Sequence, residues 1–390
     1  MSEPTAADAP MPTPGTRTVP AELPAEFLAS APRAGRDACA WTVADLERDA
    51  RWITCLDDID RADLLSGVRA GRVADKPYLH YRAADFPFGV RVVARLRAAV
   101  DEAQHGTGIA LVKGLPRAGV TAAEFELMTW AIGLHLGVAR PQDKLTRYIN
   151  AVKDVGVDYR SPTGRGYSSN AELDFHVDSG DVVLLSCFNQ APEGGDSMCS
   201  SGVSAWRQLV AERPDLAYVL LTEAVPFSRQ GEQSEGEAPY TMTTVFARTP
   251  TDVFCAWNRN RIHNGLKLPD APACSDALRD GVELLDQILR RPQFMYRMRL
   301  EPGDLQILSN FTTLHSRTAF TDDPDAARKR TLFRLWLATP DGLALPPAWR
   351  DKWGAVEPGV VKGGVRGHHY DDACRAFERR QADALGMRIA

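Results

Sequence analysis

The stretch that organises this chain is Phe175-His176-Val177-Asp178. Read as a strand, it sends His176 and Asp178 to one side, because side chains alternate faces with a period of two. Phe175 and Val177 are apolar, and the run Val182–Leu185 follows closely, so two polar side chains stand beside a core. A buried carboxylate there needs a partner, and a metal is one. A second histidine, His315 in Leu314-His315-Ser316, comes from a distant strand. It completes a set of two imidazoles and one carboxylate. Three such ligands on one face of an octahedron suit non-haem Fe(II), with positions left open for a co-substrate and O2. The remaining histidines, at 80, 105, 135, 263, 368 and 369, show no comparable pairing.

Downstream of His315 runs Lys329-Arg330-Thr331-Leu332-Phe333-Arg334-Leu335-Trp336-Leu337. As a strand it places Arg330, Leu332, Arg334 and Trp336 on one face and Thr331, Phe333, Leu335 and Leu337 on the other. The second face is core. The first is not simply wet, because Leu332 and Trp336 share it with the arginines. Two guanidinium groups on such a face call for a carboxylate, which arginine binds as a planar fork. A dicarboxylic co-substrate meets that need. Arg317 and Arg328 are competitors for the role.

The composition is that of an ordinary water-soluble chain: 390 residues, a net charge of −5 and 44% hydrophobic residues. Mild acidity gives no electrostatic reason to expect nucleic acid or an anionic membrane as a partner. No run of apolar residues is long enough for a membrane span. The N-terminus lacks signal-peptide features. Seven scattered cysteines without CxxC spacing read as reduced thiols in a cytoplasmic protein. Residues 1–25, rich in Pro, Ala and Thr, read as a disordered tail, and 26–390 as one catalytic domain with a β core over about 105–345.

Periodicity and caps give the elements. Helices are expected from Thr42 through Ile53, over 92–104, from the Thr121…Glu124 capping box to Leu136, over 203–211 and over 276–291. A charged surface helix is expected over 370–388. Strands are expected at 108–114, 181–188, 242–248, 252–258, 295–300, 305–309 and 329–338. Many short strands separated by Gly, Pro and Asp turns suggest a sandwich or barrel with helices outside. The loops at 155–170 and 228–239 are candidates to cover the site. Tyr159, Arg160, Tyr167 and Asn170 are candidate substrate contacts. Trp257-Asn258-Arg259-Asn260-Arg261 reads either as pocket lining or as a polar rim, the rim being favoured, with Asn258 a further substrate candidate.

Together these motifs resemble the taurine dioxygenase/TfdA-like superfamily, in the style of its clavaminate-synthase-like members. The matching pieces are Phe175–Asp178, Glu193-Gly194-Gly195-Asp196-Ser197, Pro302-Gly303-Asp304-Leu305-Gln306, Asn310 with His315, Arg317–Phe320 and Lys329–Leu337. They cover roughly residues 40–345. The resemblance implies a mainly β fold with flanking helices and a double-stranded β-helix (jelly-roll, cupin-like) core. It implies Fe(II) held by His176, Asp178 and His315. Arg330 would pair the distal carboxylate of 2-oxoglutarate, with Arg334 and Ser197 assisting. Ser197 stands where the family often has threonine. The implied chemistry is oxidative decarboxylation of 2-oxoglutarate by O2, releasing succinate and CO2, coupled to hydroxylation of a small polar or amino-acid-derived specialised metabolite. Desaturation, epoxidation and ring closure stay open. Halogenating relatives lack the carboxylate ligand, so Asp178 argues against halogenation. Two competing readings use the same residues: a zinc hydrolase, since zinc accepts this donor set, and a non-catalytic binding protein. Neither oligomeric state nor substrate identity is legible.

Overall fold

The computed structural model describes residues 22–157 and 166–390. Its centre is a seven-stranded sheet. In spatial order the path runs Ile53–Cys55, Ile109–Lys113, Leu305–Ser309, Val182–Asn189, Thr331–Ala338 and Val138–Arg140, with Ile149–Val152 also paired to Thr331–Ala338. Every pairing is antiparallel except the first, which is parallel. A second sheet holds Tyr296–Met298, Ser197–Ser201 and Thr313–Arg317, all antiparallel.

Alternation along the central strands decides what lies on each side. Val182, Leu184, Ile307, Phe333, Leu335 and Leu337 face an outer layer of helices. The helices Asp58–Gly71, Val90–His105 and Ala122–Leu136 contribute Leu64, Leu96 and Trp130 to that core. Val183, Cys187, Leu308, Leu332 and Trp336 face the other way, onto Cys199 and Met298 of the second sheet. A third core packs the helices Gly202–Glu212, Pro214–Thr222 and Asp276–Leu289 against Phe246, Phe254, Trp257, Trp349 and Trp353.

Several elements depart from the sequence-based expectations. The Thr42 helix stops at Arg48. Ile53 lies instead in an edge strand opposite Leu111, where sheet pairing and the burial of Trp52 outweigh local helix propensity. The expected strand 242–248 is two strands, Tyr240–Thr243 and Phe246–Arg248. The helix Asp58–Gly71 was not anticipated. Its signal is an Asp57…Asp60 capping box, with the Asp57 carboxylate accepting from the Ile59 and Asp60 amides. The C-terminal helix is shorter than expected, Asp372–Ala384, and is not simply a surface element. Its Phe377 is buried and stacks on Trp130 at 5.5 Å between ring centroids. Of the expected N-terminal tail, residues 1–21 lie outside the described residues; Leu23 packs against the third core. No helix among the described residues is long and apolar enough to cross a membrane.

Candidate metal centre and co-substrate pocket

His176 does not sit in a full strand. It forms single antiparallel bridges to His315 and to Asn258. The His176 amide donates to the His315 carbonyl at 2.9 Å, and the His315 amide returns the bond at 3.0 Å. This reciprocal pair fixes two imidazoles side by side, with ring centroids 4.3 Å apart. Asp178 follows two residues later, and its amide donates to Asn310 Oδ1 at 3.0 Å. His315 Nε2 lies 3.6 Å from Asp178 Oδ2. One ligand atom from each of the three groups falls within 4.8 Å of the others.

The donor set fits a metal chemically as well as spatially. His176 Nδ1 lies 2.9 Å from the Asp174 carbonyl oxygen. A carbonyl only accepts, so Nδ1 carries the proton and Nε2 keeps its lone pair for a metal. Burial, and then the His315 ring, push His176 down to about 3; it stays neutral at physiological pH, as a ligand must. Burial opposes the charging of Asp178. The Arg334 guanidinium and the two imidazoles outweigh it and hold the carboxyl well below the usual range.

Thr331–Ala338 supplies the opposite wall. Arg330, Leu332, Arg334 and Trp336 all line a cavity of about 180 Å³ that also contains His176, Asp178 and His315. Arg334 Nη1 lies 3.4 Å from Asp178 Oδ1, and Nε donates to Gln142 Oε1 at 2.8 Å. Its guanidinium lies between the rings of Tyr167 and Trp336, at 5.3 and 4.8 Å from their centroids. Arg330 is only 2% exposed. Nε donates to Gln190 Oε1 at 3.0 Å and Nη2 to the Gly195 carbonyl at 3.1 Å. Nη1 is buried with no hydrogen-bond partner among the described residues. No carboxylate forms a salt bridge with it there, and burial pushes it down to about 10. A buried cation without an anion is costly, and a ligand carboxylate removes the cost.

The Gly194-Gly195 pair has a specific reason. Both residues take positive φ, 70° and 72°, and a Cβ at 195 would stand 2.6 Å from Arg330 Nε. The turn therefore makes room for the arginine. Ser197, two residues on, lines the cavity and donates from Oγ to Gln306 Oε1 at 3.0 Å. The competing arginines are otherwise engaged. Arg317 lines the cavity but donates to the Ser169 and Ala171 carbonyls, and Arg328 is exposed and paired with Asp323.

The substrate candidates divide. Tyr167 and Asn258 line the cavity. The Asn258 side chain also accepts from the Arg261 amide and caps the short helix Arg259–Gly265. Asn170 does not line the cavity; it is exposed, and its carbonyl accepts from the Phe320 amide. Tyr159 and Arg160 lie outside the described residues. Of the two readings of 257–261, pocket lining rather than the favoured polar rim fits, since Trp257, Asn258, Asn260 and Arg261 all line the cavity. The strand before it ends at Cys255, and the chain then turns inward. The loop at 228–239, a candidate to cover the site, reaches the cavity through Ser228, Arg229 and Gln230, but sequence reasoning did not single out Arg229, and it missed Lys352 and Trp353. No periodicity marks them, because they lie in a hairpin connection and in a four-residue helix.

A family model described as taurine catabolism dioxygenase TauD, TfdA family matches residues 75–336. The chain belongs to this family. Among its relatives is FR-33289 synthase of Streptomyces rubellomurinus, 30% identical over 324 residues, which span 80% of this chain and 93% of that protein. Solved structures share the TauD-family fold. Asparagine oxygenase in complex with Fe(II), 2S,3S-3-hydroxyasparagine and succinate has a TM-score of 0.52 at 17% identity, over 74% of this chain and 94% of that one. The non-haem iron oxygenase OrfP in complex with Fe and alpha-ketoglutaric acid has a TM-score of 0.54 at 13% identity, over 73% and 94%. The TauD-family chain described here is thus an Fe(II)- and 2-oxoglutarate-dependent oxygenase that uses O2.

Proposed function

We propose that the protein hydroxylates a small polar, amino-acid-derived or otherwise specialised metabolite within one catalytic domain, residues 26–390. In this reading the two facing sheets form a double-stranded β-helix. His176, Asp178 and His315 hold iron. Arg330 pairs the distal carboxylate of 2-oxoglutarate, and Arg334 and Ser197 line the rest of its berth. The observation that carries the reading is a buried Arg330 with an unpartnered Nη1 in the same cavity as a two-histidine, one-carboxylate cluster. A small polar substrate is supported by the asparagine- and arginine-derived ligands named for the structural neighbours.

Iron with 2-oxoglutarate and O2 supplies the oxidant when bound, with succinate and CO2 released. The chain's own residues do the rest. Arg334 keeps Asp178 ionised and in place. Leu332, Trp336 and Trp257 give the cavity apolar walls that exclude water. Tyr167 and Asn258 border the space left for substrate. Asp178 would serve as a ligand to the iron, so products are expected to be oxygenated and not chlorinated, even in excess chloride.

The test is anaerobic addition of Fe(II) and 2-oxoglutarate to the purified protein. A weak visible metal-to-ligand charge-transfer band is expected, followed by succinate on admission of O2. Neither band nor succinate would sink the reading.

A further inference from the structure

The cavity is lined at one end, here the inner end, by the metal cluster, and elsewhere, here the outer end, by a second group of side chains that the co-substrate reading leaves unused. Among the described residues lining it, six are basic (Arg229, Arg261, Arg317, Arg330, Arg334 and Lys352) and one, Asp178, is acidic. The whole chain has a net charge of −5, so this bias is local. At the inner end the charges are accounted for. Arg334 faces Asp178, Arg330 awaits a co-substrate carboxylate, and Arg317 holds backbone carbonyls.

The outer end is different. Lys352 is half-buried, and its ammonium lies 4.2 Å from the centroid of Phe227 and 5.8 Å from that of Trp353. No hydrogen bond or ion pair to it occurs among the described residues. Arg229 and Arg261 flank it. Arg261 is paired with Glu232 at 2.7 Å. Arg229 has only a distant carboxylate, Glu237, at 3.8 Å, and its Nε is buried without a hydrogen-bond partner. Burial, then Arg261 and Arg229, push Lys352 down to about 7. Gln230, between these groups in the cavity wall, holds a positive φ of 52°. Strain of this kind in a non-glycine residue persists where the surroundings impose it, commonly at ligand sites.

We propose that the outer end of the cavity is an oxyanion subsite, in which Lys352 with Arg229 and Arg261 receives a phosphoryl, sulfonyl or carboxylate group of the substrate. The substrate would then span the cavity, its anionic group outside and the carbon to be oxidised beside the metal. A substrate presenting a cation at this end is disfavoured, since like charges brought together in a poorly hydrated site repel strongly. This inference rests on the oxygenase reading and narrows its substrate class. Lys352, Arg229 and Arg261 are binding residues here, with no part in oxygen chemistry.

The experiment uses the protein loaded anaerobically with Fe(II) and 2-oxoglutarate, so that the charge-transfer band reports the inner end. Inorganic phosphate, methanesulfonate and acetate are titrated separately by calorimetry, with methylguanidinium as the cationic control. At least one anion is expected to bind with the band retained, and methylguanidinium is expected not to bind. Which anion binds best distinguishes the three chemistries. Lys352→Met should weaken that anion by tenfold or more while the band remains, and Lys352→Arg should restore most of the affinity. Arg229→Gln, expected to weaken it several-fold, serves where Lys352→Met does not fold. A normal band with no anion bound overturns the proposal. Equal affinity in wild type and both variants does the same, as does an anion that erases the band by displacing 2-oxoglutarate from Arg330. A missing band in the wild type overturns the oxygenase reading, and this subsite's role falls with it.

Discussion

The inner and outer ends of the cavity are both rich in cations, but they are built from different material. At the inner end the side chains stand on paired strands or are tied directly to them by backbone bridges. Leu332 and Arg334 stand on Thr331–Ala338, which is hydrogen-bonded on both edges, and Arg330 immediately precedes it. His315 stands on Thr313–Arg317. At the outer end Arg229 follows the strand Val225–Ser228 in the connection to Tyr240–Thr243. Lys352 sits in a helix of four residues, Arg350–Trp353. The strand-borne end fixes chemistry that must be reproduced to fractions of an ångström. The loop-borne end can vary without disturbing the sheets, which is where substrate choice belongs.

The comparison breaks most sharply if the ends fail to behave independently. The largest expected effect is at the metal. Asp178→Asn or His315→Ala should reduce succinate formation to background, and iron content measured after anaerobic loading should fall with it. Next is Arg330→Leu. Losing one partner of a buried charge pair costs about 2–5 kcal/mol, so KM for 2-oxoglutarate should rise about a hundredfold while iron content holds. Unchanged KM would move the anchor to Arg317 or Arg334.

A smaller effect of opposite sign is expected at the outer end. Burial, then the Arg261 and Arg229 guanidinium groups, push Lys352 down to about 7 in the folded protein, against about 10.4 for an ordinary lysine. Its charge therefore costs stability in full below pH 7, and the cost fades as pH rises toward 10. Arg229 and Arg261 face it and stay charged throughout this range, and the Glu232 carboxylate is held by Arg261. Lys352→Met should raise the Tm of the ligand-free protein by about 2 °C or more at pH 6.5, and the gain should shrink at pH 9.5. A lower Tm at pH 6.5 would mean that the ammonium has a stabilising partner. The smallest effect is expected for Ser197→Ala. Removing one hydrogen bond of about 0.5–1.5 kcal/mol should raise the KM for 2-oxoglutarate a few-fold, with substrate KM unmoved.

The difference between the ends also explains what could be read in the sequence. Alternation in Lys329–Leu337 announces which residues share a face, and the structure places Arg330, Leu332, Arg334 and Trp336 together on the cavity wall. Thr121…Glu124 marks a helix start by a local rule, and the helix begins at Ala122. His315 was legible only in combination with His176 and Asp178, since no local pattern joins residues so far apart. Lys352 was not legible at all. Its position depends on a turn of chain that brings Arg350–Trp353 over Phe227, and nothing within that segment signals the neighbour. Asn170 shows the converse. It lies in a Gly-, Ser- and Tyr-rich stretch that borders the site through Gly166 and Tyr167, yet its own side chain is exposed.

The arginine strand carries one more consequence. A strand advances about 3.3 Å per residue, so Arg330, one residue before the strand, and Arg334 are set about 13 Å apart along the backbone, and the pairing of Leu332–Leu335 on both edges keeps Arg334 from sliding. With Arg330 as the anchor, the sheet acts as a ruler for the co-substrate. Its gauge is written in peptide units, and a flexible side chain has little freedom to reset it. A 2-oxo diacid one methylene shorter or longer would be measured against that gauge and turned over poorly, however well its carboxylates match.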